Sequence, residues 1–310
     1  MGGGRILVIK LGALGDFVQA LGAMAAIRRH HSDAHIVLLT MAPFEGLARA
    51  SRLFDEIWLD RRAGLLDIPA WLALRRRLRA ARFDRVYDLQ TSDRTSWYFR
   101  LLGPGPRPEW SGIARGASHP HANPRRDRMH SLDRLSEQLA MTGVTDIPAP
   151  DLSWAAPDLG RLNLPERFAF LAPGGAEHRP GKRWPVERYA ALAQALQSRG
   201  LAPVVIGTAG EHALGEAIRE QAGAARNLAG ATTLDEVAGL ARQASLAVGN
   251  DTGPMHMAAA AGTPALVLFS AESDPALCAP RGASVTILRR VRLAELAVED
   301  VLTALPAPRS

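Results

Sequence analysis

The sequence predicts an α/β protein with two βαβ domains of similar size, and three observations support this fold class. Segments typical of strands and helices alternate along most of the 310 residues, as they do in parallel sheets with crossover helices. The strand candidates are continuous apolar runs rather than alternating ones, which indicates that both faces of each strand are covered. A stretch with Pro148, Pro150 and Pro157 divides the chain, so we place one domain at residues 1–155 and the other at 156–310.

The first half begins with a strand at residues 5–10 (RILVIK), followed by a glycine-containing turn and a helix over 16–30. Further strands are predicted at 36–40, 57–59 and 85–88, and further helices at 70–81 and 131–142. Residues 103–124 hold five prolines and are predicted to form a loop, because proline lacks the N–H group that a sheet or helix needs.

The second half repeats the alternation of strands and helices. Its strands are predicted at residues 168–172, 202–206, 244–248 and 265–269, and its helices at 185–197, 211–221, 233–242 and 254–261. A terminal helix over 293–305, ending before Pro306, is a candidate to pack back onto the first domain.

Composition limits the classes to which the chain can belong. A formal net charge of +6 favours an anionic partner. The single cysteine, Cys278, excludes an internal disulfide and a cysteine-rich zinc site. No uninterrupted apolar run reaches the roughly 18 residues of a spanning helix, and the start Gly2-Gly3-Gly4-Arg5 is not typical of a signal peptide. We therefore expect a cytoplasmic protein.

Arginines concentrate in the first half of the chain, above all in the predicted helix over 70–81. One interpretation is contact with an anionic membrane surface or a phosphorylated acceptor, and the other is a solvated arginine-rich face. Nucleic acid is not expected, because no nucleic-acid motif accompanies the charge. The clustered arginines are Arg75, Arg76, Arg77, Arg79 and Arg82. The residues predicted to form the core-facing stripe of this helix are Trp71, Leu72, Leu74 and Leu78.

The junction at residues 248–258 (VGNDTGPMHMA) is the most informative segment of the chain. An apolar strand ends in a polar turn, where Asp251 and Thr252 stand at helix-cap positions. The N–H groups at the positive end of the following helix predict a phosphate or pyrophosphate site around Asp251, Thr252 and Gly253. His256, in the first helical turn, is a candidate additional donor.

The turn after the first strand contains Gly12, Gly15 and Asp16. Glycines there allow a tight turn and the close approach of another molecule. Asp16 has two interpretations: an N-cap of the next helix, or a carboxylate at a cleft floor that acts as a general base. The turn lacks the Gly-x-Gly-x-x-Gly pattern of dinucleotide-binding proteins, which argues against a hydride-transfer enzyme.

A second small-residue loop, Pro173-Gly174-Gly175, follows the strand at 168–172, and Lys182 precedes the next helix. Ligands of such sheets bind off the carboxyl ends of the strands. A lysine in this place meets a phosphate as a point charge. The alternative is an exposed loop lysine.

Together these segments resemble glycosyltransferase family 9, the ADP-heptose:lipopolysaccharide heptosyltransferases. The matching patterns are Ile-Lys-x-Gly-x-x-Gly-Asp at residues 9–16, Pro-Gly followed by Lys-Arg-Trp-Pro at 182–185, and Asp-Thr-Gly-Pro-x-His at 251–256. The resemblance implies a GT-B architecture: two Rossmann-like α/β domains with parallel sheets facing a central cleft, the acceptor on the first and the nucleotide-sugar on the second. It also implies inverting transfer of a heptose without a metal or another cofactor.

The family's functional residues fall on named positions of this chain. Asp16 matches the general base, with Gly12 and Gly15 beside it on the acceptor side. In the loop at 173–175, relatives that act on the first inner-core site often carry hydroxyl residues, so backbone N–H groups would contact the donor here. The residues matched on the donor side are Lys182 at the phosphate, Gly174 and Gly175 in the loop, Glu211 at the ribose, Asp251, Thr252 and Gly253 at the diphosphate turn, and His256 at the helix start.

The resemblance therefore predicts transfer of a heptose from an ADP-heptose-like nucleotide-sugar to a lipopolysaccharide core or other glycan acceptor. The enzyme would act in the cytoplasm or peripherally at the inner membrane, with the clustered arginines as the membrane contact. Two alternatives stay open: transfer of another nucleotide-activated sugar, and a non-catalytic nucleotide-sugar-binding protein. Release of ADP distinguishes the latter, because a binding protein holds the nucleotide-sugar without consuming it.

Overall fold

The computed structural model describes residues 4–64 and 66–309. The chain divides into two compact units, Met1–Pro150 and Asp151–Ser310, whereas the sequence places the boundary after residue 155. Gly2 and Gly3, which bear on the expected cytoplasmic location, lie outside the described residues. In the described part of the chain, no helix is both long and apolar enough to cross a membrane.

The first unit is built around a parallel sheet. Its strands are β1 (Arg5–Ile9), β2 (His35–Thr40), β3 (Glu56–Leu59), β4 (Arg85–Asp88), β5 (Glu109–Gly112) and β6 (His119–Pro120). Its helices are α1 (Leu14–Gln19), α2 (Leu21–His30), α3 (Glu45–Ala50), α4 (Ile68–Ala80), α5 (Asp93–Leu101) and α6 (Ser131–Ala140). These strands pair in the order β3-β2-β1-β4-β5-β6, each pair parallel. That order is the one found in Rossmann folds.

The second unit repeats this plan with other residues. Its strands are β7 (Phe168–Ala172), β8 (Ala202–Val205), β9 (Arg226–Asn227), β10 (Leu246–Asn250), β11 (Ala265–Phe269) and β12 (Val285–Arg289). Its helices are α7 (Val186–Ser198), α8 (His212–Ala222), α9 (Leu234–Gln243), α10 (Gly253–Ala260), α11 (Pro275–Cys278) and α12 (Val298–Ala304). The strands pair in the order β9-β8-β7-β10-β11-β12, all in parallel. The predicted α/β class with parallel sheets is confirmed.

The central strands have the burial that their continuous apolar sequences predict. All five residues of β7 (FAFLA) are buried, and so are all five of β10 and β11. In the first unit, Leu7 and Ile9 of β1 pack with Trp58, Leu78 and Trp110 in one core cluster. Full burial of a large apolar side chain contributes about 1.5–3 kcal/mol to folding stability. The central strands are therefore a rigid support for the loops that follow them.

Two segments of the first unit differ from the sequence prediction. The predicted loop at 103–124 contains β5 and β6, and Trp110 of β5 has no exposed surface. Pairing with β4 recruits this short segment, whose own sequence carries little strand signal, because β-propensity depends strongly on tertiary context. The predicted helix over 16–30 is interrupted at Ala20, which separates α1 from α2.

The C-terminal segment packs on the second unit. The predicted helix over 293–305 begins as a 3₁₀ turn at Leu293–Glu295 and continues as α12. The indole N–H of Trp184 donates to the carbonyl of Leu296 at 2.9 Å, and Val301 of α12 is fully buried. The α12 helix contacts α7 and β12.

We expect Thr233→Ala to destabilise the protein by about 1 kcal/mol. Thr233 caps α9: its hydroxyl accepts the Glu236 N–H at 3.3 Å, and the Glu236 carboxylate accepts the Thr233 N–H at 2.8 Å. The substitution removes one half of this capping box. Urea unfolding measures the loss.

Thr303→Ala is the matched control, because the hydroxyl of Thr303 donates to the Glu299 carbonyl within the same helix, α12, at 2.8 Å. Alanine's higher helix propensity offsets the loss of that bond. Equal unfolding free energies for the two variants would show that the capping box contributes nothing.

Candidate active-site elements in the two units

In each sheet the strand order reverses beside the unit's first strand. Sheets of this kind bind ligands beyond the carboxyl ends of the strands that flank the reversal. These strands are β1 and β4 in the first unit and β7 and β10 in the second. The predicted turn at 12–16 follows β1, the loop at 173–175 follows β7, and the turn at 251–253 follows β10.

Gly12 shapes the turn after β1. Its φ of +119° is a conformation that side-chain-bearing residues rarely adopt, and a Cβ there would lie 3.0 Å from the ring of Phe44. The Leu11 N–H donates to Oε1 of Gln90 at 2.9 Å, which ties the end of β1 to the segment after β4. The turn thereby leads the chain into α1, with Asp16 in its first turn.

Asp16 is the third residue of α1 and follows Gly15 within the helix. The N-cap is Ala13, which makes no side-chain capping bond, so the interpretation of Asp16 as an N-cap is wrong. The Asp16 side chain is exposed and faces a recess. The residues that line this recess include Lys10, Asp16, Gln90, Thr91, Ser131 and Arg134.

Lys10, directly after β1, is buried beside the recess. Its Nζ donates to the Leu89 carbonyl at 3.1 Å. Burial lowers the pKa of Lys10, the negative charge of Asp16 opposes that shift, and the positive charge of Arg134 adds to it. A buried cation next to an exposed carboxylate and a second cation gives the recess a strong local field.

Asp88, at the end of β4, shapes the opposite side of the strand-order reversal. Its Oδ1 accepts the N–H groups of Gln90 and Thr91 at 3.1 and 2.9 Å, and burial raises its pKa to about 6. The hydroxyl of Thr91 in turn accepts from the Arg126 guanidinium at 2.6 Å. The sequence prediction missed these residues, and the available signal was the polar run directly after a buried strand.

Asn250, at the end of β10, joins three segments of the second unit. Its Nδ2 donates to the carbonyls of Pro173 and Gly174 at 2.7 and 3.0 Å. Its Oδ1 accepts the Trp184 N–H at 3.2 Å and the Tyr189 hydroxyl at 3.0 Å. The side chain is fully buried, so losing it would leave several polar groups unsatisfied, each costing roughly 1–3 kcal/mol. The sequence prediction did not single out Asn250.

Glu211 holds the glycine loop after β7. Its Oε1 accepts the Gly175 N–H at 2.9 Å, and its Oε2 accepts the N–H of Thr208 at 2.7 Å and the hydroxyl of Thr208 at 3.0 Å. A Cβ on Gly174 would lie 1.9 Å from Glu211 Oε1, so a side chain at 174 would displace the carboxylate. The structure thus brings together Gly174, Gly175 and Glu211, three of the predicted donor-side residues.

Lys182 and Asp251 form an ion pair across the second unit's strand-order reversal. Lys182 Nζ lies 2.6 Å from Asp251 Oδ2, which also accepts the Ser273 hydroxyl at 2.7 Å. Asp251 therefore does not cap α10. The N-cap is Thr252, whose side chain makes no capping bond, so the first turn of α10, beginning at Gly253, receives no side-chain cap from it.

Arg183 joins these two groups of residues. Arg183 donates to the Gly175 carbonyl at 2.5 Å and is the neighbour of Lys182. His256 lies within α10 and is buried, with 7% of its surface exposed. Across residues 4–64 and 66–309, no three His, Cys, Asp or Glu side chains form a group that could hold a metal ion.

The clustered arginines, four within α4 and Arg82 just after its end, are partly engaged by the first unit itself. Arg75 donates to two main-chain carbonyls at the end of α5, that of Leu101 at 2.9 Å and that of Gly103 at 3.2 Å. Arg77 lies 3.8 Å over a tryptophan ring, and Arg79 donates to a carbonyl at 3.2 Å. Arg76 and Arg82 are exposed.

Comparison with known proteins gives consistent matches. The model of glycosyltransferase family 9 (heptosyltransferase) matches residues 71–302. Lipopolysaccharide heptosyltransferase 2 of Escherichia coli K12 is 28% identical over 317 residues, which cover 93% of this chain and 88% of the relative. Lipooligosaccharide heptosyltransferase 2 of Haemophilus influenzae is 38% identical over 122 residues, which cover 38% of this chain and 35% of the relative.

Solved structures agree on the fold. A family 9 glycosyl transferase from Veillonella parvula has a TM-score of 0.83 at 21% identity, covering 98% of this chain and 97% of that chain. The E. coli ADP-heptose LPS heptosyltransferase II has a TM-score of 0.79 at 24% identity, covering 97% of both chains. The predicted GT-B-like α/β fold is confirmed. Because the family model spans most of the sequence, the chain belongs to glycosyltransferase family 9, the heptosyltransferase family.

Proposed function

We propose that this protein is an inverting heptosyltransferase that moves a heptose from ADP-heptose to a lipopolysaccharide core acceptor, with Asp16 as the general base. The observation that carries the proposal is the position of Asp16: in a family 9 member, an exposed carboxylate follows the glycine turn at the strand-order reversal of the first sheet. The cap role that would otherwise explain this residue belongs to Ala13.

In the proposed reaction, Asp16 takes the proton of an acceptor hydroxyl while the hydroxyl oxygen attacks the anomeric carbon of the heptose. The bond from that carbon to the diphosphate oxygen breaks on the opposite face, and ADP leaves with the electron pair. Attack and departure on opposite faces invert the anomeric configuration. A positioned base accelerates such a step by roughly 10²–10⁴-fold.

The second unit is proposed to bind the nucleotide-sugar. Lys182 and the N–H groups at the start of α10, with Thr252 and Gly253, would stabilise the charge that grows on the diphosphate. Lys182 exchanges part of its pairing with Asp251, 2.6 Å away, for a phosphate oxygen. Backbone N–H groups of Gly174 and Gly175 would line the donor.

Glu211 and His256 are two further side chains proposed to act on the donor, one at the ribose and one at the start of α10. Glu211 would contact the ribose, using lone pairs that its bonds to Gly175 and Thr208 leave available. His256 would support the diphosphate turn from within α10. Relatives support this class of donor, because one E. coli heptosyltransferase was solved with ADP and with ADP-2-deoxy-2-fluoro heptose.

The first unit is proposed to bind the acceptor. Lys10 and Arg134 line the recess that Asp16 faces, and Arg126 donates to Thr91, another residue of its lining. Such a group of cations favours an acceptor with anionic substituents. The relatives named lipopolysaccharide heptosyltransferase 2 support a core oligosaccharide as this acceptor. The glycines Gly12 and Gly15 would let the acceptor approach the backbone.

The enzyme is proposed to work in the cytoplasm at the surface of the inner membrane, where the α4 arginines meet anionic lipid. Arg75, Arg77 and Arg79 contribute charge even though they bond within the unit. Arg76 and Arg82 are exposed. Each arginine near an anionic surface contributes about 1 kcal/mol.

A panel of nucleotide-sugars, tested for ADP release with lipopolysaccharide core acceptors, tests the proposal. Rapid ADP release with ADP-heptose, and with no other nucleotide-sugar of the panel, supports the heptosyltransferase proposal. Turnover of a different sugar would favour the alternative suggested by the Pro173-Gly174-Gly175 loop, a family relative with another donor. Binding without any ADP release would indicate a nucleotide-sugar-binding protein.

Asp16→Asn is expected to lower kcat by about 10²–10⁴-fold, or roughly 2.7–5.5 kcal/mol in the barrier, while donor affinity changes only a few-fold. The amide keeps the size of the side chain and cannot take the proton. Asp300→Asn, an exposed acidic residue in the first turn of α12, is the control. Near-normal kcat in Asp16→Asn would remove this residue from the reaction.

Lys182→Ala is expected to weaken ADP binding and slow transfer together, by roughly 1.5–3 kcal/mol each. The variant loses a cation and also leaves the Asp251 carboxylate unpaired, where it repels the diphosphate. Calorimetry with ADP measures the effect, and Arg199→Ala at the far end of α7 is the control. Unchanged ADP affinity would place Lys182 outside the site.

Transfer is expected to continue in a chelator such as EDTA. Divalent cations at a diphosphate need carboxylate ligands, and here Asp251 is paired with Lys182 while Glu211 bonds to backbone N–H groups. Rates before and after dialysis against EDTA measure this. Loss of activity that magnesium or manganese restores would contradict the metal-free mechanism.

A further inference from the structure

The start of α4 exposes apolar side chains. Leu66 is 93% exposed, Ile68 65% and Leu72 53%. Leu72 was expected in the core-facing stripe of the helix, and that prediction is wrong. Ile68, Leu72 and Arg76 follow one another at four-residue spacing and so share one exposed stripe, while Trp71, Leu74 and Leu78 face the core.

Leu66 also departs from the usual packing at a helix start. Asp67 is the N-cap of α4, so Leu66 and Trp71 occupy the positions of a hydrophobic staple, in which they would pack together. The indole of Trp71 instead donates to the Gly64 carbonyl at 2.9 Å, and Leu66 projects into solvent. The exposed Leu66 adds to Ile68 and Leu72, and a group of exposed apolar side chains rimmed by polar residues marks an interaction surface.

The segment that carries these side chains is held in place. The Gly64 carbonyl accepts both the Trp71 indole and the Asp67 N–H, the latter at 3.1 Å. The Ala63 carbonyl accepts from the Arg94 guanidinium at 3.1 Å. These bonds hold Ala63 against α5 and Gly64 against the first turn of α4, next to the exposed side chains.

Charge around the exposed apolar side chains is strongly positive. Residues 61–82 contain seven arginines and a single acidic residue, Asp67, and their net charge of +6 equals that of the whole chain. The carboxylate of Asp67 accepts a hydrogen bond from the Ala70 N–H at 3.1 Å. Arg61 and Arg62, which precede the apolar side chains in the chain, and Arg76, which follows Leu72 by one helical turn, are exposed. Apolar tips among arginines match the boundary between lipid headgroups and acyl chains.

We propose that this surface, formed by Leu66, Ile68, Leu72, Arg61, Arg62 and Arg76 and named here the α4 edge, inserts into the headgroup region of an anionic lipid bilayer. The arginines bind lipid phosphates, and the three apolar side chains enter the interface. The proposal extends the membrane contact put forward under the proposed function, but it depends on neither the sugar nor the base. It differs from a purely electrostatic contact, because it requires apolar burial.

Sedimentation with vesicles of phosphatidylethanolamine and phosphatidylglycerol (3:1) tests the α4 edge. We expect Leu66→Ser/Leu72→Ser to lower the vesicle partition coefficient by about tenfold or more, since burial of each leucine contributes to interfacial binding. The matched control is Met141→Ser/Val291→Ser, which changes side chains 45% and 74% exposed elsewhere in the chain and should bind like the wild type. Turnover on a delipidated, water-soluble acceptor should be equal in all three proteins.

A label at residue 66 tests insertion directly. In a Cys278→Ser background, Leu66→Cys offers a single thiol for an environment-sensitive dye, with Val291→Cys as the control position. We expect a blue shift at 66 with anionic vesicles, none with pure phosphatidylcholine vesicles, and a shift that persists in part at 0.5 M NaCl.

Three results would contradict the proposal that the α4 edge inserts into a lipid bilayer. Equal vesicle binding by Leu66→Ser/Leu72→Ser and wild type would leave only electrostatic attraction. A blue shift that needs the delipidated acceptor rather than vesicles would make the surface a substrate contact. Self-association lost in Leu66→Ser/Leu72→Ser would assign the surface to a second copy. Failure of the transferase proposal is a separate outcome, because it would abolish ADP release without altering vesicle binding.

Discussion

The hydrogen bonding of the buried Asn250 carboxamide is the interaction on which the loop geometry around Lys182 and Asp251 in the second unit depends. Its four hydrogen bonds join the end of β10 to the loop after β7 and to the start of α7. In a buried setting each such bond is costly to lose, so the three segments move as one. Asp251 follows Asn250 directly, and Lys182 stands two residues before Trp184, whose N–H Asn250 binds. The four hydrogen bonds of Asn250 therefore fix the positions of both Lys182 and Asp251, the partners of the ion pair.

The first unit also connects its two central strand ends through polar side chains, but with different residues. There the side chain of Gln90 accepts the Leu11 N–H across the strand-order reversal, and Asp88 accepts the N–H groups of residues 90 and 91. In each unit a polar side chain after one central strand thus binds the backbone after the neighbouring central strand: Gln90 in the first unit and Asn250 in the second. Asp88 holds the backbone of its own segment. Because a parallel sheet leaves its strand-end N–H and C=O groups unpaired, these bonds satisfy the edge and also make it rigid.

Residues that depart from the usual rules of burial lie at these strand ends rather than in the apolar cores. Lys10 is buried, which lowers its pKa, and Asp88 is buried with a pKa of about 6. Each costs stability that a fully apolar strand end would not. The α4 edge is a further conflict, with leucines in solvent beside arginines. Departures from the ordinary rules of burial of this kind are typical of functional surfaces.

The sequence determined those features whose cause is local. Continuous apolar runs identified β1, β7 and β11, because strands covered on both faces must be apolar throughout. The glycines and polar residues after these strands marked the turn at 12–16 and the junction at 251–253. The family patterns then connected those turns to one kind of reaction.

The tertiary structure decided every feature that depends on a distant partner. Local composition placed Asp251 at a helix cap, but its carboxylate meets Lys182, 69 residues earlier in the chain. Periodicity placed Leu72 in the core, although the first unit covers only the side of α4 that holds Trp71, Leu74 and Leu78. The strand β5 exists because β4 offers it an edge to pair with. Such contacts are set by which chain segments meet in space, and residue spacing along the sequence does not record that.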